Sequence, residues 1–286
     1  MHALLASAYV WTQIVIPGAT MMQAFGLNDK GQTAINTSDG RSGIYGGGTF
    51  TPLPAPPPGF QVSALGINDA GVITGGATTT TNPNEQGFIL VGSSYRFFSR
   101  PGWDVTEPRA IANSGLITGQ NFGSAGQAGF IYNPATNTFT DATPPNSTRT
   151  ITQGMNAAGR ITGDGRQPGL NRYAFVWQQD TITKGKRELL PFLDRIRIDG
   201  AGSAARGIND SGVIVGFTNS GKGFVGTDAR GYQVLTAPGG DPAVGFSTLC
   251  EGINNDAQVV CGVSDANGDT VGEFIGTPRE GENDEH

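Results

Sequence analysis

One ten-residue stretch, written six times, limits what this chain can fold into more than any other feature. Its cleanest form is GINDSGVIVG at 207–216. It recurs as GINDAGVITG at 66–75, AIANSGLITG at 110–119, GMNAAGRITG at 154–163, GINNDAQVVC at 252–261 and, more worn, GLNDKGQTAI at 26–35. Asn-Asp-x-Gly between two β-branched runs is a hairpin signal: Asn or Asp closes a local hydrogen bond and Gly accepts the positive φ of a tight turn. The turn position falls at Asn28, Asn68, Ala112, Asn156, Asn209 and Asn254, at intervals of 40, 44, 44, 53 and 45 residues.

Each copy continues on one plan. Strand A runs into the Asn and strand B leaves the turn. A variable loop follows, then strand C with a Gly-Phe-aliphatic signature, as in GFIL at 87–90, GFIY at 129–132, AFVW at 174–177, GFVG at 223–226 and EFIG at 273–276. Strand D alternates and ends at a Pro or Gly corner. A four-stranded unit of this length is what a propeller blade requires. The last copy ends after strand C near residue 278, while an orphan alternating run, YVWTQIVI, occupies 9–16. The two pieces together make one repeat. The expected fold is an all-β, six-bladed β-propeller of four-stranded blades spanning 9–278, its ring closed by the N-terminal strand so that neither edge is left open. Extra material at 184–204 is either a long strand D with its corner or one helical turn.

The bulk numbers agree. Among 286 residues there are 45 glycines, spread as regular punctuation, and few segments carry apolar residues at helical spacing. A net charge of −6 argues against a nucleic-acid surface, and no run reaches the length of a membrane span. Residues 1–8, MHALLASA, have the small-x-small form of a signal-peptidase site and read as a signal-peptide remnant. Residues 279–286 read as a disordered acidic tail. Counting outward from a four-residue loop, Ile253 faces Gln258 and Cys250 faces Cys261. The two cysteines are therefore expected to form a disulfide in an exported protein, or to remain buried thiols in a cytosolic one.

The unit resembles the HAF repeat of probable extracellular bacterial proteins, whose G-I-N-x-x-G-x-V-V-G hairpin is followed by His-Ala-Phe. Here Tyr173-Ala174-Phe175, Gln127-Ala128-Gly129-Phe130, Lys222-Gly223-Phe224 and Gly272-Glu273-Phe274 stand in that place, and no copy keeps the His. The resemblance implies an exported, secreted or periplasmic protein and no shared reaction.

Histidine is confined to His2 and His286, which removes the common triad base and the usual zinc ligand. No metal and no cofactor is expected. The 216–223 segment matches seven places of a P-loop but continues into a strand. Asp265, Asn267 and Asp269 alternate as calcium ligands do but supply too few oxygens. The informative column lies three residues before each turn position: Phe25, Leu65, Arg109, Gln153, Arg206 and Glu251. Equivalent positions in equivalent blades ring a channel at one level, with two apolar residues on one side and four polar ones on the other. Glu107 joins the polar side, and Met21, Met22 and Phe60 are placed near the apolar side. The loops after strand B diverge from copy to copy, which points to one asymmetric site rather than a multivalent lectin. The favoured reading is a monomeric binding protein for one small-molecule or glycan ligand, partly anionic. The alternatives are a lyase, hydrolase or cyclase using Glu107 or Glu251 as acid or base with Arg109 and Arg206 stabilising charge, and a passive scaffold. A solvated channel in which Arg206 merely pairs with Glu251 is the bland counterpart.

Overall fold

The computed structural model describes residues 9–19, 22–168, 172–178 and 202–279. The expectations for 1–8, for Met21, for most of 184–204 and for 280–286 lie outside these. The described chain is all β, with 23 strands in four-stranded sheets and one larger sheet. The first copy forms Met22–Leu27, Thr33–Thr37, Ser42–Gly46 and Thr49–Pro52, paired antiparallel in that order. The second forms Phe60–Ile67, Ile73–Thr79, Gln86–Val91 and Ser94–Phe98, and the fifth Ser203–Ile208, Ile214–Thr218, Gly223–Thr227 and Gly231–Leu235, each in the same order.

The third and fourth copies share a sheet. Strand Gly126–Asn133 of the third touches strand Arg149–Met155 of the fourth through a single parallel pair, Gln127 opposite Arg149. The sixth copy supplies Ser247–Ile253, Val259–Ser264 and Thr270–Pro278, and its fourth strand is Tyr9–Gln13. That N-terminal strand runs antiparallel with Trp11 opposite Gly276 and Gln13 opposite Phe274. The contact continues one residue further, where Ile14 N–H donates to Glu273 O at 2.8 Å.

The apolar side chains of each copy are buried against the next, so the core sits between sheets. Ala34 of the first copy packs with Ile67, Phe88 and Leu90 of the second. Ile89 and Phe98 of the second pack with Ile117 and Phe130 of the third. Val215 and Leu235 of the fifth pack with Val259 and Val263 of the sixth. Val260 of the sixth packs with Ile35 and Tyr45 of the first. The strand-C phenylalanines Phe88, Phe130, Phe175 and Phe224 are fully buried. Each aromatic ring removes a large apolar area from water, so this position anchors the interface wherever it recurs.

The turn asparagines hold successive hairpins together. Each Asn accepts from the N–H four residues on, as Asn209 Oδ1 does from Val213 at 2.9 Å. Its amide then donates to the backbone of the next turn: Asn28 to Asn68 O, Asn68 to Ala112 O, Asn156 to Asn209 O, Asn209 to Asn254 O and Asn254 to Asn28 O, at 3.0–3.3 Å. A second series uses the following residue. Asp29 N–H donates to Asp69, Asp69 to Asn113, Ala157 to Asp210, Asp210 to Asn255, and Asn255 to Asp29. Turn glycines take positive φ, as Gly71 does at 76°; in the sixth copy Ala257 adopts φ 57°, with the Tyr9 hydroxyl donating to its carbonyl at 3.1 Å.

Candidate functional site

Every inner strand carries a β-bulge three residues before its turn position or one residue later. The pairing skips Leu65, Arg109, Gln153, Arg206 and Glu251 in copies two to six, and Gly26 in copy one. A bulge leaves one residue without a cross-strand partner and re-aims its side chain. Regular pairing outward from a four-residue turn would set Ile253 opposite Gln258. Instead Ile253 faces Val259, and the bulge at Glu251 returns the register so that Cys250 faces Cys261. Those two cysteines form a disulfide.

The five skipped side chains of copies two to six converge with Phe25, which precedes the skipped Gly26 of copy one. Phe25, Leu65, Arg109, Gln153, Arg206 and Glu251 line one cavity of about 80 Å³. It is narrow because inner strands approach backbone to backbone. A Cβ built on Gly252 would lie 3.0 Å from the backbone of Gly26 and Leu27, and one on Gly207 3.1 Å from the Cα of Gly252. Met22 and Phe60 lie elsewhere. Met22 packs beside Ile14 and Ile35 between sheets, and Phe60 stacks on Phe97 with ring centroids 4.2 Å apart. Strand alternation accounts for Phe60: five residues from Leu65, it belongs to the opposite face of its strand.

Charge at the mouth is arranged as two similar sets. In one, Arg109 Nη2 lies 2.7 Å from Glu107 Oε1; Glu107 also accepts from the Gln120 amide, and Gln120 from Gln127. A second acid, Glu85, sits over Gly76. Burial first, and then the Glu107 carboxylate, push the Glu85 pKa up to about 7, opposed by Arg109. In the other set, Arg206 Nε lies 3.5 Å from Glu251 Oε2, and the second acid, Glu273, is buried over Gly262. Burial pushes Glu273 well above the carboxylate range; the Ala24 N–H opposes this and the Glu251 charge adds to it. Among the described residues, Glu85 Oε1 and Glu273 Oε2 have no hydrogen-bond partner. The backbone N–H that Glu273 accepts from is that of Ala24, at 3.3 Å. In copy three the position equivalent to Ala24 is Pro108, which has no N–H to give.

Arg206 sits over the Phe217 ring at 4.9 Å, with Arg172 over the same ring at 5.2 Å. Arg172 holds Asp164 through two hydrogen bonds of 2.8 and 3.0 Å. Burial lowers the Arg206 pKa, Glu251 and Asp164 oppose the shift, and Arg109 and Arg172 add to it. Glu85, Glu273, Asp164 and Arg172 were not read from the sequence as site residues. Glu273 left the one available signal: an acid where other copies have Gly or Ala before the strand-C Phe.

The loops considered as ligand sites close on themselves. Asp265 Oδ1 accepts from the N–H groups of Asn267 and Asp269. Across the P-loop-like turn, Thr218 Oγ1 accepts from the Lys222 N–H.

No family model and no curated protein matches the sequence. Solved structures do. A catalytically inactive virginiamycin B lyase from Staphylococcus aureus, crystallised with quinupristin, is 12% identical, covers 94% of this chain and 99% of its own, and superposes with a TM-score of 0.52. A putative oxidoreductase (glucose dehydrogenase) from Thermus thermophilus is 13% identical, covers 93% and 99%, and gives 0.51. Both are β-propeller proteins, one named as a lyase and the other as an oxidoreductase, and at this identity the likeness carries the fold alone. The chain is an all-β protein of propeller type.

Proposed function

We propose that this is an exported, six-bladed propeller, closed by its N-terminal strand, that binds one partly anionic small molecule or glycan at the asymmetric mouth of its central cavity. The observation that carries this reading is the convergence of the six bulge-level residues on one cavity, apolar at Phe25 and Leu65 and charged at Arg109, Arg206 and Glu251. Ligand sites combine such an apolar wall with a few fixed polar groups. The six blades are the six repeat copies, and the kinship with HAF-repeat proteins rests on their shared hairpin motif. Export accords with the Cys250–Cys261 disulfide, a bond that persists in oxidising compartments.

A second reading, a lyase, hydrolase or cyclase, draws on Glu85. A carboxyl titrating near neutrality beside a fixed Glu107–Arg109 pair has the properties of a general acid or base. The experiment is a thermal-shift screen of amphipathic carboxylates, acidic sugars and neutral sugars against the wild type and Arg206→Ala. Stabilisation by at least one charged class, lost in the variant, is expected. No stabilisation by any class, or stabilisation undiminished in Arg206→Ala, would overturn the binding site.

A further inference from the structure

Three neighbouring copies present an unanswered donor at the same level of the cavity. Arg109 Nε, Gln153 Nε2 and Arg206 Nε are all buried without a hydrogen-bond partner among the described residues, and all three residues line the cavity. Gln153 is only 7% exposed, so its amide has little recourse to bulk water. Arg206 Nε comes within 3.5 Å of Glu251 without making a hydrogen bond to it. An unsatisfied buried donor is expensive, and three at one level are rarely retained without an acceptor.

The charges point the same way. Arg109 and Arg206 are near enough to repel, and Arg109 lies across the cavity wall from Arg206 with Gln153 between them in copy order. Each guanidinium also faces a carboxylate, Arg109 that of Glu107 and Arg206 that of Glu251; Glu251 shares the cavity wall, and the three unanswered donors belong to the stretch of wall built by copies three to five. A single water has two lone pairs and no charge, whereas a carboxylate offers about four acceptor sites and a negative charge. The cavity, at about 80 Å³, has room for a carboxylate head group.

We infer that the cavity is a carboxylate subsite: Arg109, Gln153 and Arg206 take the acid group of the ligand, and the rest of the ligand lies outside at the mouth. This rests on the binding reading above and names the chemical group that enters first. Phe25 and Leu65 close the opposite wall, so the inserted group can carry a short apolar stem.

The test is a titration of the isotope-labelled protein with sodium acetate against sodium chloride at equal ionic strength, following the Gln153 side-chain amide and the Arg109 and Arg206 Nε–H resonances by nuclear magnetic resonance. Saturable shifts of all three with acetate and none with chloride are expected. Gln153→Met, which keeps the shape and removes the donor, should fold normally and bind acetate about tenfold more weakly or worse. If acetate leaves these resonances in place while N-acetylglucosamine moves them, the carboxylate assignment fails and the ligand site stands. If neither probe moves them, both fail. Undiminished acetate binding by Gln153→Met also overturns the assignment.

Discussion

The two ends of the six inner hairpins are built on opposite terms. At the turn end the same residues recur, and the polar atoms that join neighbouring turns are answered: Asn255 alone donates its amide to both Asp29 and Asp210, at 2.8 and 2.9 Å. At the other end only arginine recurs among the six equivalent residues, at 109 and 206, and several buried donor and acceptor atoms have no partner among the described residues. Saturation marks the end that holds the hairpins in place, and unanswered polarity marks the end free to meet something else.

The sharpest way to break this contrast is at the turn end. Asn209→Ala removes the amide bond to Asn254 O and the acceptor for Val213 N–H and the Ser211 hydroxyl, in a residue that is 3% exposed. A loss of about 2–4 kcal/mol is expected by chemical denaturation, with acetate binding at the cavity retained in the folded fraction. Equal damage to both properties would mean that the ends are not separable.

The mouth end responds instead to pH. Glu85 keeps its proton to about pH 7 in the folded chain, whereas an unfolded glutamate releases it near its ordinary value. The folded chain therefore binds more protons between those limits, and its stability falls as pH rises through the window. Glu85→Gln should remove a decline on the order of 2–3 kcal/mol between about pH 4.5 and 7. Glu273 adds a slope of the same sign, so the measurement is the difference between variant and wild-type melting curves across that range. Parallel curves would place Glu85 in water rather than over Gly76.

The smallest effect sharpens the comparison within the turn end itself. Between the third and fourth copies both turn-end bonds are missing, because Ala112 has no amide to donate and Ala157 no oxygen to accept from Asn113. That junction leans on the other end, through the Gln127–Arg149 pair and the Thr152 hydroxyl donating to Gly119 O. Ala112→Asn with Ala157→Asp should add about 1–2 kcal/mol in total. No gain would mean that Ala110, standing where every other copy has Gly, holds the two strands too far apart.

Much of this was legible in the sequence because repetition makes register visible. Six aligned turns were enough to place Phe25, Leu65, Arg109, Gln153, Arg206 and Glu251 at one level. The bulge was not legible. Nothing in Cys250-Glu251-Gly252 announces a skipped pair, since a bulge arises from how neighbouring inner strands fit rather than from a residue type. Glu85 was hidden for another reason: its loop reads as an ordinary polar TNPNEQ, and it is covered against Gly76, which belongs to another strand. Phe60 follows strand parity rather than closeness in sequence: five residues from Leu65, it lies on the other face of its strand, against Phe97.

The bonds of the two turn series also have a direction, whereas the side-chain amides of Asn113 and Asn255 donate the other way, to Asp69 and Asp210. In both series every donor belongs to one copy and every acceptor to the next in chain order, including the step from Asn254 and Asn255 to Asn28 and Asp29. In each series a residue accepts through one group and donates through another, one on its side chain and one on its backbone, so each link supports the next by fixing the position of the residue they share. Because Ala112 and Ala157 interrupt the sequence at a single place, the arrangement is a wire with two ends, running from Asn156 round to Ala112, and its first and last links are the least reinforced. Amide exchange should then be fastest at Ala157 and Asn113 and slowest near Asn254, a gradient set by position along the wire rather than by depth in the fold.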